Sequence, residues 1–177
     1  MSIRQYNLGS IVKPGFNPLA AQTSTPTSTL FSWGQNSDGQ LGLGDITQRS
    51  SPNQVGSLTN WANIGATYFS VGAVKTDGTL WTWGSNNQGA LGLGNTTNYS
   101  SPKQVGALTA WYKVATGSRR CMFATKTDGT LWSWGKNDNG QLGLGNLTNY
   151  SSPKQVGSLY GWLKVASGYT FTLAIAS

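Results

Sequence analysis

The sequence predicts an all-β protein, and three observations carry that expectation. A unit of about fifty residues is written three times, opening Leu30-Phe31-Ser32-Trp33-Gly34, Leu80-Trp81-Thr82-Trp83-Gly84 and Leu131-Trp132-Ser133-Trp134-Gly135, in steps of 50 and 51 residues. Helix formers are scarce: Glu is absent and charged residues make up only 10%, while Gly (24), Trp (8), Thr, Ser and Asn are plentiful. Third, Thr76-Asp77-Gly78-Thr79 and Thr127-Asp128-Gly129-Thr130 stand between strand-like segments, where Asp-Gly reads as a two-residue hairpin turn. A period this long, sustained through strand-like sequence, indicates a repeat architecture.

Residues 1–29 stand outside the repeats. Ile3, Tyr6, Leu8, Ile11, Val12 and Phe16 alternate there with Gly9, Pro14, Gly15 and Pro18. Such a stretch is too apolar for a solvated tail and too broken for a helix. It reads either as a frayed terminus or as an extended arm that docks on another subunit or a larger assembly. The second reading gives those six apolar side chains a use and is the one adopted. Residues 20–29, Ala-Ala-Gln-Thr-Ser-Thr-Pro-Thr-Ser-Thr, read as its linker.

The repeats occupy residues 30–177 and divide at 30–79, 80–130 and 131–177. Between Leu80 and Trp111 the second copy agrees with the third at 23 of 32 positions. In Leu80-Trp81-Thr82-Trp83 the two tryptophans fall on one face of a strand. A loop, Asn86-Asn87-Gln88-Gly89, leads to Leu91-Gly92-Leu93-Gly94, where glycine permits close backbone approach. Ser101-Pro102-Lys103-Gln104-Val105 reads as an edge or first-of-strand segment, because proline cannot donate to a ladder. Trp111 and Val114-Ala115 then lead into the strand before the next Asp-Gly. About four short antiparallel strands per unit make a propeller-type blade.

Tryptophan recurs at fixed places: Trp33, Trp83 and Trp134 at one, Trp61, Trp111 and Trp162 at another. Regular placement marks these six as blade core or inter-blade packing, each burial worth roughly 2–3 kcal/mol before entropy. A carbohydrate-stacking surface is the other use of such a pattern.

The Trp-x-Trp-Gly…Asn-x-x-Gly-x-Leu-Gly-Leu-Gly core, the Ser-Ser-Pro-x-Gln-Val-Gly segment and the Thr-Asp-Gly-Thr hairpin resemble the regulator of chromosome condensation repeat. The resemblance covers residues 30–177 and implies a β-propeller, normally of seven blades. Kelch repeats share the period but carry a Gly-Gly doublet that is absent here, and tryptophan–aspartate propellers have shorter units. The family often places His in the strand before the hairpin. This chain has Phe69-Ser70, Arg120-Cys121 and Thr170-Phe171 there.

Three units are few, since propellers typically have about four to eight blades. The third unit stops at Leu173-Ala174-Ile175-Ala176-Ser177, where a Thr-Asp-Gly-Thr hairpin would begin, and the first starts just after the equivalent hairpin. The two are complementary parts of one blade. Leu30, Phe31 and Trp33 are therefore expected to pair with Leu173 and Ile175 between subunits, giving a ring completed by another subunit. The rival arrangement is an open array held in a larger assembly.

The chemistry-bearing residues point away from catalysis. Without His or Glu no Ser-His-Asp or Cys-His triad is possible. The five acids, Asp38, Asp45, Asp77, Asp128 and Asp138, fall in turns and loops; neither zinc nor calcium spacing is present. The Leu-Gly-Leu-Gly runs lack the lysine of a phosphate-binding loop. No catalytic, cofactor or metal residue is expected. The net charge of +7 reflects missing acids more than abundant bases. Those bases are scattered, so nucleic acid is not an expected partner, although Lys103 with Lys154 and Lys113 with Lys164 recur at repeat positions and would line a weak basic rim. Cys121 is alone, so no internal disulfide forms. No apolar run approaches membrane-spanning length and no signal-peptide core is evident, so no membrane is expected. Four Asn-x-Ser/Thr matches, at Asn95, Asn98, Asn146 and Asn149, read as polar loop residues.

Three functions follow in order of expectation. The first is a structural or adhesion protein of a bacteriophage virion (capsid, neck, tail or fibre), because few-copy, nearly identical, Asn/Ser/Thr/Gly/Trp-rich repeats resemble phage-encoded ones. Its partners would be itself, other virion proteins and a host-surface glycan. The second is a cytoplasmic regulatory propeller binding a protein such as a small GTPase, as the resemblance to a family containing a guanine-nucleotide exchange factor implies. Ultraviolet sensing, known in a plant member, would need a Gly-Trp-Arg-His-Thr run that is absent. The third, an enzyme, lacks the residues.

Overall fold

The computed structural model of the protein describes residues 28–115, 117 and 120–177. The arm residues Ile3, Tyr6, Leu8, Ile11, Val12 and Phe16 lie outside them. Two four-stranded antiparallel sheets occupy the middle of the chain. The first is β3 (Trp61–Ala66), β4 (Ser70–Lys75), β5 (Leu80–Gly84) and β6 (Tyr99–Gln104); the second is β7 (Trp111–Ala115), β8 (Cys121–Lys126), β9 (Leu131–Gly135) and β10 (Tyr150–Gln155). Two-stranded sheets flank them: β1 (Phe31–Gly34) with β2 (Arg49–Gln54), and β11 (Trp162–Ser167) with β12 (Thr172–Ala176). Neighbours in sequence are neighbours in each sheet, so every sheet is a meander. The sheets do not close into a ring within the described residues.

The sequence unit and the sheet are out of phase. Leu80 and Leu131 begin the third strand of a sheet, so each unit supplies the two outer strands of one blade and the two inner strands of the next. Three units therefore give two complete blades and two complementary halves. In the complete sheets β6 and β10 are edge strands carrying Pro102 and Pro153, where the missing N–H costs no ladder bond.

The Asp-Gly hairpin differs from its expected form. Lys75 N–H donates to the Thr79 carbonyl and Gly78 N–H to the Lys75 carbonyl, so the loop is three residues long. Only Gly78 takes positive φ, at +76°; Gly129 repeats it at +81°. Asp77 acts through its side chain, accepting at Oδ1 from Thr79 N–H (2.9 Å) and Thr79 Oγ1 (2.7 Å). Trp81 Nε1 then donates to Thr79 Oγ1 at 2.8 Å, which ties the turn to the strand that follows. Asp128, Thr130 and Trp132 repeat this chain of bonds.

The core runs between blades. Val74, Leu80, Trp111, Val114, Met122 and Trp134 form one buried cluster that joins the two complete sheets. Within each blade a tryptophan from the innermost strand meets two from the third strand edge to face: Trp61 with Trp81 and Trp83 at 6.5 and 6.0 Å, and Trp111 with Trp132 and Trp134 at 6.0 and 6.2 Å.

Candidate interaction surface

Blade contacts are built from the glycine loops upward. Trp83 lies against Gly42, where an added Cβ would come within 2.7 Å of its indole nitrogen, and donates Nε1–H to the Gln40 carbonyl at 3.0 Å. Trp134 repeats the arrangement on Gly92 and the Ala90 carbonyl, also at 3.0 Å. The Leu-Gly-Leu-Gly loop of one blade is thus the seat for the tryptophan of the next. Inside each loop a fully buried asparagine ties the chain together. Asn86 accepts from Leu91 N–H at 2.8 Å and donates to the Asn95 carbonyl at 3.0 Å, and Asn36 and Asn137 do the same in their copies. Sequence reading placed these asparagines in polar loops and missed their role; their recurrence two residues after each Trp-Gly was the available signal.

Of the six tryptophans assigned to the core, Trp61, Trp83, Trp111 and Trp134 are buried, and Trp162 is half-buried. Trp33 is 60% exposed, against 2% for Trp83. The difference is physical: among the described residues β1 has β2 on one side and no inner strands on the other. Leu30, Trp33, Ile64, Tyr68, Val71 and Trp83 line an apolar cleft of about 530 Å³ between that bare strand and the inner strands of the first complete blade. Phe31, Leu173 and Ile175, expected at strand pairing between subunits, are also exposed. Leu30 packs beside the Trp61–Trp83 cluster. The structure thus leaves both expected pairing segments bare, and adds Ile64 and Tyr68, which sequence reading had not singled out.

Charged groups serve local structure. Lys75 Nζ sits 3.7 Å above the Trp81 ring and Lys126 Nζ 3.7 Å above Trp132. Burial pushes both ammonium groups below the ordinary lysine range, opposed by Asp77 and Asp128. Asp77 and Asp128 are held below the usual carboxylate range chiefly by the Thr79 and Thr130 hydroxyls. Asp45 is held down first by Thr47 N–H and then by Arg49, 2.6 Å away. Asp138 is held down first by Lys136 at 3.1 Å. These four carboxylates are separate and none is poised as a proton donor. Lys103 and Lys154 each reach over a neighbouring tyrosine, Tyr99 and Tyr150, at 5.4 Å. Cys121 is buried. Among the described residues no helix is long and apolar enough to cross a membrane.

Comparison with known proteins agrees with this architecture. The family described as Regulator of chromosome condensation (RCC1) repeat matches residues 28–73, 77–124 and 128–175. The chain is 35% identical over 160 residues to the E3 ubiquitin-protein ligase HERC2 of Homo sapiens, covering 85% of this chain and 3% of that protein. It is 33% identical over 153 residues to the ultraviolet-B receptor UVR8 of Arabidopsis thaliana, covering 82% of this chain and 34% of the receptor. Among solved structures it resembles Prp20p of Saccharomyces cerevisiae, described with its binding properties to Gsp1p and histones, at a TM-score of 0.75 and 21% identity over 82% of this chain and 39% of that one. Human WBSCR16 resembles it at a TM-score of 0.69 and 22% identity, over 85% of this chain and 40% of the other. These structural likenesses show the propeller fold, and the chain spans well under half the length of each protein named.

Proposed function

Given that the chain belongs to the regulator of chromosome condensation (RCC1) repeat family, we propose that it is a non-enzymatic structural and adhesion protein, a building block of a bacteriophage particle that docks by residues 1–29 and presents its blades to neighbours or to a host surface. The observation that supports a binding role is the apolar cleft edged by Trp33, Ile64 and Tyr68. A surface of that kind marks a place where another macromolecule sits. Lys75, Lys126, Asp45, Asp77, Asp128 and Asp138, by contrast, are engaged in turns, loops and ring contacts. The virion assignment rests on the character of the repeats and on the apolar arm.

Deleting residues 1–18 tests the docking role. The truncated protein should keep its blades folded and be lost from purified particles; unchanged incorporation rejects the arm as the anchor.

A second reading is a regulatory propeller that binds a protein such as a small GTPase. It is favoured by the likeness to Prp20p, described with its binding properties to Gsp1p and histones. A nucleotide-release assay with small GTPases separates the two: acceleration supports regulation, and none is expected of a structural block.

A further inference from the structure

We infer that the two bare faces of this chain fit each other and that a second copy of the same chain occupies both, so that two copies close a ring of six four-stranded blades. This goes beyond the proposed function and stands whichever particle or partner the ring serves.

The first line of argument is a seat without its tryptophan. Two of the three glycine loops are filled: Gln40–Gly42 by Trp83 and Ala90–Gly92 by Trp134. The third, Gln141–Gly143, repeats the Gln-Leu-Gly of the first and has the same positive φ at its glycine (+71°) as both, yet a Cβ on Gly143 would meet only Val156 at 3.4 Å. Thr172 Oγ1 donates to the Gln141 carbonyl at 2.8 Å, which leaves that oxygen a second lone pair. Trp33 is the tryptophan at the matching repeat position, and it is the exposed one. The backbone repeats the vacancy. Gly44 N–H donates to the Ser100 carbonyl and Gly94 N–H to that of Ser151, at 2.8 and 2.7 Å. The counterpart bond would run from Gly145 to Ser50 of a second copy.

The second line is register. In the complete blades Ala73 pairs with Trp81 and Ala124 with Trp132. Gly72 pairs with Thr82 and Phe123 with Ser133. Placing β12 beside β1 by the same rule pairs Ala174 with Phe31, Leu173 with Ser32 and Thr172 with Trp33. Gly168 N–H donates to the Phe171 carbonyl at 2.9 Å, so strand alternation turns the N–H groups of Thr172 and Ala174 away from β11, toward the bare edge.

The third line is the cleft itself. Between the complete blades, Gly65 and Gly72 face Val114 and Met122 so closely that a Cβ would come within 3.1 and 2.7 Å. By repeat position, Leu173 and Ala166 of a second copy would face Val71 and Ile64, their larger side chains taking up the open volume of the cleft beside β1 where Gly72 and Gly65 allow direct contact. Strand, side chain and loop contacts thus converge on one occupant, the β11–β12 hairpin, whose relatives β3–β4 and β7–β8 hold this place in both complete blades. The described residues hold one such hairpin and one such cleft, so between two copies two heterologous contacts close a ring if the rotation closes. Six blades lie within the usual range of about four to eight.

Sedimentation equilibrium of the full 177-residue protein is the first measurement, and a mass of twice 18.8 kDa is expected. Trp33→Ala and Leu173→Asp change side chains that are exposed in a single copy, so each should leave circular dichroism unaltered while weakening association at least about tenfold. In a mixture of Ser32→Cys chains with Leu173→Cys chains a disulfide should join the two, and neither variant alone should be linked. A monomer, including one whose Trp33 is covered by residues 1–27 of its own chain, overturns the proposal. So does an open polymer, or a two-chain species that survives both substitutions and gives no cross-link.

Discussion

Trp134 donates its indole N–H to the Ala90 carbonyl at 3.0 Å across forty-four positions of sequence, and this bond fastens the third strand of one blade to the glycine loop of the blade before it. It is buried, and it is repeated by Trp83 on Gln40. Blade-to-blade cohesion therefore depends on a polar bond set inside an apolar contact. Removing one partner leaves the other desolvated and unsatisfied.

Trp134→Phe keeps a large aromatic ring but strands the Ala90 carbonyl. It should destabilise the protein by about 1–3 kcal/mol. Trp134→Ala adds a cavity and should cost about 3–5 kcal/mol. Urea unfolding followed by far-ultraviolet circular dichroism reads both. Trp83→Phe, which removes the equivalent bond to the Gln40 carbonyl, should show a loss of the same order.

Gly92 sits under Trp134 with φ at +71°, and a Cβ there would lie 2.8 Å from the indole nitrogen. Gly106 has a similar φ, +59°, with nothing within 4 Å. Gly106→Ala should therefore cost only the backbone penalty of about 1–2 kcal/mol, and Gly92→Ala measurably more because the ring must move as well. Comparing the two denaturation midpoints separates backbone strain from steric conflict. Equal losses would falsify the loop as a tryptophan seat.

Asn86 is buried and fully engaged, and sequence reading did not identify it. Asn86→Asp preserves size and Oδ1 but removes the Nδ2 donor to the Asn95 carbonyl, and buries a carboxylate in its place. We expect a loss of at least about 1–3 kcal/mol from the unsatisfied group alone, with the substitution more damaging at pH 7 than at pH 4. Thermal unfolding at the two pH values provides the check.

How far these features could be read beforehand follows from the range of the interactions. The Leu-Trp-x-Trp-Gly strands and the proline-bearing edge strands are local patterns, set by side-chain alternation and by a missing N–H, and both stand where the sequence places them. The Asp-Gly turn was found, but not its length. A two-residue and a three-residue hairpin both accept Gly78, and the choice depends on the Thr79 hydroxyl binding Asp77 and Trp81 together. The asparagine of each loop was hidden because polar residues in Gly-rich loops are ordinarily solvated, and only the return of the chain nine residues later, to Asn95 or Asn146, buries them. The exposure of Trp33 was hidden too. Its repeat position marks a core residue, while the start of the first unit just after a missing hairpin marks the same tryptophan for pairing between subunits, and the two readings give opposite exposures in a single chain.

The Asp–Thr turns and the Lys–Trp stacks both make stability rise with pH, one at the acid end of the scale and one at the alkaline end. Asp77 and Asp128 ionise below the usual carboxylate range, first because the threonine hydroxyls bond to them and then because the threonine N–H groups do. A group with a depressed folded pKa contributes stability that is complete above its unfolded value and is lost as pH falls through the folded one. The melting temperature should accordingly drop on the acid side, beginning in the ordinary carboxylate range and continuing down through the lower folded values. Thr79→Val with Thr130→Val should make that drop shallower while lowering stability at neutral pH. Lys75 and Lys126 are also depressed, by burial, and the slope has the same sign at the alkaline end. The charged form is the disfavoured one, so stability should rise as pH climbs from the folded lysine value toward the ordinary one. Lys75→Met with Lys126→Met keeps the stem that covers Trp81 and Trp132 and removes the charge, so it should abolish the alkaline rise. Melting curves recorded from pH 2 to 11 on wild type and both double variants test the two slopes separately. An alkaline rise that persists in the methionine variant would assign it to other groups and leave the Lys–Trp stacks as packing alone.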